Sequence, residues 1–322
     1  MKVALITGIT GQDGAYLSAF LLEKGYRVVG IVRSIDDTNR YRLDYLKVTP
    51  HVELVACDLM DLSQCLKVLN LYQPDEVYNL AAQSSVSLSF DQPIGTMSFN
   101  IISVINVLEA IKITNPKIKY YQASSSEMFG RIDQKPATEH TFLHPLSPYA
   151  ISKATSHWTT TNYRESYNLF ACCGVLFNHE SYLRQPHFFI KKVIHSTIKI
   201  KYQQLDQLTL GNLNLKRDFG YAKEYIKAMW LIMQKETPDD FLICSGASVK
   251  LLDIVHHVFD RLNIDKNKIV IDNRFIRPNE IIDIYGDNTK AKNELGWEYN
   301  LSFFDVLDIL IEEELMNFHT ND

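Results

Sequence analysis

A tyrosine and a lysine four residues apart, Tyr149 and Lys153, could together take a proton from a hydroxyl group. The apolar spacing around them predicts a helix over residues 149–167, and side chains at i and i+4 share one face of a helix. A free phenol has a pKa of about 10, and a nearby ammonium favours the phenolate, so we expect Lys153 to lower the pKa of Tyr149. Because both residue types are common, a solvated surface contact is the ordinary alternative.

A second polar cluster, Ser124 to Glu127, directly follows a predicted strand at 117–123. Glu127 alone could be a carboxylate that the dipole favours at a helix start. In the company of serine hydroxyls and the Tyr149/Lys153 pair, we interpret it as a catalytic acid or base.

A glycine-rich turn opens the chain. It follows a short apolar strand, Val3–Thr7, and leads into a stretch with helical spacing of apolar residues. Gly8, Gly11 and Gly14 would let the backbone approach a pyrophosphate, and the helix N-terminus would offer free N–H groups. The context of strand, turn and helix predicts dinucleotide binding.

The end of the second predicted strand, Arg27–Val32, bears on the choice of dinucleotide. Arg33 follows it where an Asp or Glu would bind the ribose 2′-hydroxyl of NAD. A cation at this position suits a 2′-phosphate, so NADP is favoured, with NAD as the alternative because Asp36 and Asp37 lie close by.

Two further predicted strands complete the cofactor side. Val52–Ala56 is followed by Asp58, which could approach the adenine, and residues 77–81 form the next strand. The small side chains of Ala81 and Ala82 would let a cofactor lie close to the backbone.

Strands alternate with helices through the first 176 residues, which predicts an α/β fold with a Rossmann-type doubly wound parallel sheet. We assign residues 1–176 and about 207–236 to the dinucleotide-binding domain. Residues 177–206 and 237–322 are assigned to a smaller α/β substrate-binding lobe. Long apolar helices at 96–114 and 149–167 could pack on the sheet and pair with a second subunit, so a homodimer or homotetramer is expected.

Composition excludes several other classes of protein. The 322 residues carry a net charge of −5, so neither nucleic acid nor an anionic membrane surface is an expected partner. The start of the chain lacks the pattern of a signal peptide, and no apolar stretch approaches the length of a membrane span. Five cysteines without a CxxC pattern predict reduced thiols in a cytoplasmic protein. The histidines show no metal-binding spacing, so no metal is predicted.

Several motifs, taken in order, resemble the GDP-mannose 4,6-dehydratase family of the extended short-chain dehydrogenase/reductase superfamily. They are Gly8-Ile-Thr-Gly-Gln-Asp-Gly14, Ala81-Ala-Gln-Ser-Ser-Val86, Gln122-Ala-Ser-Ser-Ser-Glu127, Asn162-Tyr-Arg-Glu-Ser166, Leu176-Phe-Asn-His-Glu-Ser181, Lys216-Arg-Asp218 and Arg277-Pro278. The resemblance extends from residue 2 to about residue 315.

The resemblance implies roles for individual residues. The implied catalytic group is Ser125, Glu127, Tyr149 and Lys153. The residues implied to hold NADP are Gly8, Gly11, Gln12, Asp13, Gly14, Arg33, Asp58, Leu59, Leu80, Ala81, Ala82, Tyr149 and Lys153. The residues implied around the sugar nucleotide are Ser84, Glu127, Asn178, Lys192, Arg217, Arg277 and Glu280.

The reaction implied is a lyase cycle on a GDP-hexose, most simply GDP-mannose. The sugar is oxidised at C4 with Tyr149 as base, and Glu127 removes the acidified C5 proton. Water then leaves from C6 with help from Glu127 or Ser125, and hydride returns to C6. Epimerases and reductases of the superfamily usually lack an acid at the position of Glu127.

Three departures from the family pattern keep alternatives open. The chain has Arg33-Ser-Ile-Asp-Asp-Thr38 where the family has arginines and serines at a tetramer interface, and Tyr182-Leu-Arg-Gln185 where it has Pro-Arg-Arg-Gly. Ser125 replaces a threonine and retains the hydroxyl. Another GDP-sugar, such as GDP-N-acetylglucosamine or a GDP-heptose, is therefore an alternative substrate, and a sugar-nucleotide 4-epimerase or reductase is an alternative activity.

Overall fold

The computed structural model describes residues 1–36, 38–132, 134–275 and 279–318. The strands are β1 (Val3–Thr7), β2 (Arg27–Val32), β3 (Val52–Ala56), β4 (Glu76–Asn79), β5 (Lys119–Ser125), β6 (Ala171–Leu176), β7 (Asn178–Glu180), β8 (Leu208–Leu210), β9 (Lys216–Tyr221), β10 (Phe241–Ile243), β11 (Ser248–Lys250), β12 (Ile269–Ile271) and β13 (Asp283–Ile284). The α-helices are α1 (Gln12–Glu23), α2 (Tyr41–Tyr45), α3 (Leu62–Tyr72), α4 (Val86–Asp91), α5 (Pro93–Thr114), α6 (Pro148–Tyr167), α7 (Phe189–Lys201), α8 (Ala222–Gln234), α9 (Leu251–Leu262), α10 (Thr289–Leu295) and α11 (Phe303–Phe318). Short 3-10 turns lie at Thr49–His51, Ser126–Met128, Lys266–Lys268 and Asn273–Phe275.

Seven parallel strands form the main sheet in the order β3-β2-β1-β4-β5-β6-β10. The strand order reverses between β1 and β4, and ligands of such sheets bind at the carboxyl ends of the strands beside that point. The predicted doubly wound parallel sheet is confirmed.

Most predicted elements agree with the structure, and two differences have a local cause. Strand β5 continues through Ser125 because Ser124 and Ser125 still pair with Val175 and Leu176 of β6. Helix α5 begins three residues early, at Pro93, a residue type suited to the first helical turn because it needs no N–H partner there.

The smaller lobe contains a sheet in which β9 pairs with β7, β11 and β13, and a separate pair, β8 and β12. Its core is formed by apolar faces of α7, α9 and α11. The structure distributes three strands differently from the sequence assignment: β8 and β9 lie in these smaller sheets, whereas β10 adds to the edge of the main sheet beside β6. Local apolar patterning does not indicate which sheet a strand will join.

Helix α5 is long and apolar enough to cross a membrane by length and composition, the single such helix among the residues described. A core helix meets the same criterion, and α5 packs against α3 and α6. All five cysteines are free and buried, as expected for reduced core residues.

Close packing between β5 and β6 requires a glycine at position 174. A substitution at this position therefore tests the packing. A Cβ at this position would lie 2.2 Å from the Tyr121 hydroxyl oxygen. We predict that Gly174→Ala lowers the free energy of unfolding by about 1–3 kcal/mol, measured by urea denaturation. Gly95→Ala is the control, because a Cβ there meets nothing within 4 Å. Equal stabilities for Gly174→Ala and the wild type would contradict this packing.

Candidate active site

The first turn of α6 places the tyrosine and the lysine at the end of β5. Ser147 caps the helix, its hydroxyl accepting a hydrogen bond from the Ala150 N–H at 3.1 Å. The helix therefore begins at Pro148, with Tyr149 in its first turn and Lys153 one turn later on the same face. Both side chains are buried.

The Lys153 ammonium is directed at the sheet. Its Nζ donates to the Ala123 carbonyl at 2.8 Å and lies 6.0 Å from the centroid of the Tyr149 ring. Burial raises the pKa of Tyr149 to about 12, although a hydrogen bond with Ser125 acts in the opposite direction. Burial also lowers the pKa of Lys153 to about 8. The prediction that Lys153 lowers the pKa of Tyr149 is wrong for this structure, because burial of the phenol has the larger effect.

Residues 125–127 lie beside Tyr149 and Lys153 and form one wall of the site with them. Strand β5 ends at Ser125, and the chain turns into the 3-10 turn Ser126–Met128, where the Glu127 N–H donates to the Ser125 hydroxyl at 3.3 Å. The negative charge of Glu127 contributes to the raised pKa of Tyr149. The hydroxyl, the carboxylate and the phenol therefore face one space.

The glycine turn packs tightly against the end of β4. Gly8 has a φ of +69°, and a Cβ on it would lie 2.8 Å from the Ala81 nitrogen. The Thr7 hydroxyl accepts from the Ala81 N–H at 3.0 Å and donates to the Asn79 side chain at 2.6 Å. Only a glycine fits at position 8, and its backbone is held beside Ala81.

Side chains after the glycine turn connect it to β7. Asp13 Oδ2 lies 2.9 Å from His179 Nε2, and Gln12 Oε1 accepts from the Ser181 hydroxyl at 2.7 Å. Burial opposes ionisation of Asp13, but attraction to and hydrogen bonding with His179 lower its pKa to about 2. Burial opposes protonation of His179 too, and Asp13 nevertheless raises its pKa above the usual value. This ion pair joins the start of α1 to β7, a strand of the smaller sheet.

These elements border a cleft of about 1050 Å³. It is lined by most of the residues singled out from the sequence: Gly8, Gly11, Gln12, Asp13, Gly14, Arg33, Leu80, Ala81, Ala82, Ser84, Ser125, Glu127, Tyr149, Lys153, Asn178, Arg217 and Glu280. The cleft thus brings together residues separated by up to 272 positions, Gly8 to Glu280.

Three predicted site residues do not line this cleft. Asp58 and Leu59 follow β3, where the Asp58 carboxylate accepts from the Met60 N–H and the Leu59 carbonyl accepts from Asn106. Lys192 on α7 donates to the Thr209 carbonyl at 2.8 Å and is not itself a lining residue, although its Nζ lies 4.7 Å from the centroid of the Phe275 ring in the lining. Arg277 and Asp37 lie outside the described residues.

Two cations in the lining were not singled out from the sequence as site residues. Arg42 donates to the carbonyls of Leu183 and Thr10, and no carboxylate of the described residues accepts from it. Arg184 lies 3.5 Å from Glu180, and its guanidinium lies 3.7 Å from the centroid of the Phe188 ring. Arg184 lies in the segment Tyr182–Gln185, which departs from the family pattern. That departure is the sequence feature that could have identified Arg184 as a site residue.

The cleft fits a dinucleotide. Gly11 starts α1 without a side-chain cap, and a Cβ on Gly14 would lie 2.3 Å from the Gly8 carbonyl oxygen. A helix N-terminus with bare backbone is suited to a pyrophosphate. The neighbouring Ser125, Glu127 and Tyr149 can exchange protons with a sugar placed beside it.

Comparison with solved structures supports the fold. A dTDP-glucose 4,6-dehydratase from Bacillus anthracis, in complex with NAD, aligns with a TM-score of 0.86 and 20% identity over 98% of this chain and 97% of that one. A Pseudomonas aeruginosa protein named RMD, complexed with NADPH, aligns with a TM-score of 0.78 and 20% identity over 97% and 98% of the two chains.

Sequence comparison identifies the family. The chain is 43% identical to GDP-mannose 4,6 dehydratase 1 of Arabidopsis thaliana over 325 residues, which cover 98% of this chain and 90% of the relative. The family model described as GDP-mannose 4,6 dehydratase matches residues 5–310. The chain therefore belongs to the GDP-mannose 4,6-dehydratase family.

Proposed function

We propose that the protein converts GDP-mannose to GDP-4-keto-6-deoxymannose. The observation that carries this proposal is the presence of Glu127 in the same wall of the cleft as Ser125 and Tyr149, in a chain of this family. Oxidation at C4 needs a base for a hydroxyl proton, whereas dehydration also needs a group that removes the C5 proton.

The chain's own residues would divide these proton transfers. Tyr149, which lines the cleft together with Ser125, takes the proton of the C4 hydroxyl. The C4 ketone acidifies the C5 proton, which passes to the Glu127 carboxylate. Glu127 or Ser125 then gives a proton to the departing C6 hydroxyl, so that one water is lost across C5 and C6. When bound, the dinucleotide would supply the hydride chemistry, from C4 and back to C6. C5 takes up one proton as the hydride adds, which balances the proton that Tyr149 removed from the C4 hydroxyl, so there is no net redox change.

The alternatives have less support. The relatives of comparable length are named GDP-mannose 4,6 dehydratases, at 36–43% identity, which favours GDP-mannose over another GDP-sugar. A 4-epimerase or reductase would leave Glu127 without a role in the chemistry.

We infer NADP as the dinucleotide. Solved neighbours bind NAD or NADPH, which supports a nicotinamide dinucleotide of either kind. Arg33 follows β2 and lines the cleft, where its exposed guanidinium suits a 2′-phosphate. Arg42 and Arg184 add positive charge to the same cleft.

The sugar nucleotide would lie between the smaller lobe and the catalytic wall, the side of the cleft formed by Ser125, Glu127, Tyr149 and Lys153. Arg217 is buried, and one of its guanidinium nitrogens donates to the Lys216 carbonyl at 2.8 Å. Asn178 and Glu280 also line the cleft, and Glu280 is held by the Asn212 amide at 2.8 Å. A guanidinium is suited to a pyrophosphate, so we assign that contact to Arg217.

We infer that the enzyme is a cytoplasmic homo-oligomer, in keeping with its free buried cysteines. Helices α5 and α6 pack side by side, and their outer faces carry exposed apolar side chains, including Ile102, Ile151 and Trp158. Trp158 is 56% exposed. Exposed apolar side chains on two neighbouring helices are typical of an interface, and we propose a second copy of the chain as its partner.

The first prediction concerns the eliminating base. With NADP present, the wild-type protein should convert GDP-mannose to a product that is lighter by one water, detected by mass spectrometry. Glu127→Gln should lower the rate of water loss by about 10²-fold or more, because the amide cannot accept the C5 proton. Glu224→Gln on α8, where the carboxylate pairs with Lys227, is the control. A product that is epimerised or oxidised, without water loss, would favour the alternative activity.

The second prediction concerns the cofactor. Arg33→Ala should weaken NADP binding by about 1.5–3 kcal/mol and change NAD binding little, because only NADP carries the 2′-phosphate. Isothermal titration with each dinucleotide measures the difference. Arg27→Ala, at the opposite end of β2, is the matched control. An equal loss of affinity for both dinucleotides would contradict the assignment.

The third prediction concerns the interface. Trp158→Glu should shift the protein towards a smaller species in analytical ultracentrifugation, because a charge would be buried in an apolar contact. Met316→Glu, which alters an exposed apolar residue on α11, should leave the assembly unchanged. If the two variants sediment alike, this face is not the interface.

A further inference from the structure

A buried polar cluster lies behind the catalytic wall, on the same face of α6 as the two catalytic residues. Tyr149, Lys153 and His157 follow one another at four-residue intervals. Tyr149 and Lys153 line the cleft, whereas His157 does not. The face of α6 that seats against β5 therefore continues past the active site to a third polar side chain.

His157 makes its contact with the residue that precedes Ser125. Its Nδ1 lies 3.1 Å from the hydroxyl of Ser124, which is 3% exposed. Ser124 and Ser125 form the last two residue pairs between β5 and β6 before the chain leaves the sheet. A side-chain hydrogen bond at this point restrains the strand end where the ladder stops.

The far side of the imidazole is enclosed by an ion pair. His157 Nε2 lies 3.9 Å from Asp240 Oδ2. The Asp240 carboxylate accepts two hydrogen bonds from Arg164, at 2.7 and 2.8 Å, and one from the Cys173 N–H at 2.8 Å. Because these partners come from α6 and β6, the ring has a rigid support.

His157, Cys173 and Asp240 also have the residue types of a metal site, with ligand atoms within 4.8 Å of one another. Two features disfavour that interpretation. The bidentate Arg164 already neutralises the carboxylate. Burial raises the pKa of Cys173 well above its usual value, so the thiol is not a ready anionic ligand.

We propose that His157 is a positioning residue for the dehydration reaction, acting through Ser124 to hold the end of β5 in register with α6. Two catalytic contacts depend on that strand end. The Ala123 carbonyl, immediately before Ser124, accepts a hydrogen bond from the Lys153 ammonium. The Ser125 hydroxyl, immediately after Ser124, accepts one from the Glu127 N–H and acts to lower the pKa of Tyr149. The role rests on the proposed dehydratase activity.

The surroundings keep the imidazole neutral. Burial lowers the pKa of His157. The charge of Asp240 raises that pKa, whereas the charge of Arg164 lowers it further. The thiol of Cys173 faces the same cluster from β6. A neutral ring can share a single hydrogen bond with the Ser124 hydroxyl through Nδ1.

The test compares kcat and KM for GDP-mannose in substituted full-length enzymes. His157→Phe fills the space of the ring without a hydrogen-bonding atom, and we expect kcat to fall roughly tenfold, because small displacements of reacting groups are costly. KM should stay within about twofold, since His157 does not line the cleft. His157→Asn places a polar atom near the position of Nδ1 and should restore most of kcat.

Ser124→Ala tests the same contact from the strand side and removes a single hydroxyl. It should lower kcat as His157→Phe does, and the double variant should be no slower than either single variant, because both remove one interaction. Thr160→Val is the matched control: it removes another buried hydroxyl of α6, which donates within the helix to the Ser156 carbonyl at 2.9 Å, and should leave kcat unchanged.

Additive losses in the double variant, a loss expressed in KM alone, or equal losses in His157→Asn and His157→Phe would each overturn the positioning role. The outcomes also distinguish the positioning role of His157 from the proposed dehydratase activity on which it rests. Unchanged turnover in the variants beside an active wild type rejects the role alone, whereas a wild type that does not dehydrate GDP-mannose rejects the proposed function and the role with it.

Discussion

The geometry of the site depends on a buried contact between α6 and the end of β5, the hydrogen bond from the Lys153 ammonium to the Ala123 carbonyl. Burial of a cation is unfavourable, and the lowered pKa of Lys153 records that penalty. The carbonyl offsets part of it and fixes the rotation of the helix about its axis. Rotation by a single residue would turn a helical side chain by about 100° and carry Tyr149 away from Ser125.

The lobe side of the cleft depends on a buried carboxylate in a comparable way. Asp218 of β9 accepts from the backbone and hydroxyl of Ser245 and from the N–H groups of Gly246 and Gly286. Burial nevertheless raises its pKa to about 6. By drawing three segments of chain together, Asp218 holds the strand on which its neighbour Arg217 faces the cleft.

Charge within the cleft is arranged to receive a polyanion. Asp13 is committed to His179, and burial raises the pKa of Glu180, which lowers its tendency to ionise. Arg33, Arg42 and Arg184 remain on the lining as permanent cations. Two diphosphate ligands side by side, a dinucleotide and a sugar nucleotide, would complement this excess of positive charge.

Local spacing along the chain was enough to predict several features of the site. The turn at Gly8 requires a positive φ and a bare backbone, the i,i+4 spacing puts Tyr149 and Lys153 on one helical face, and the strand before Ser125 brings the polar cluster to its end. Contacts between distant segments became known from the three-dimensional structure alone. It raised the pKa of Tyr149 by burial, directed Lys192 to the Thr209 carbonyl, and paired Asp13 with a histidine 166 residues away. Those outcomes depend on desolvation and on distances between segments far apart in the chain, which local spacing does not encode.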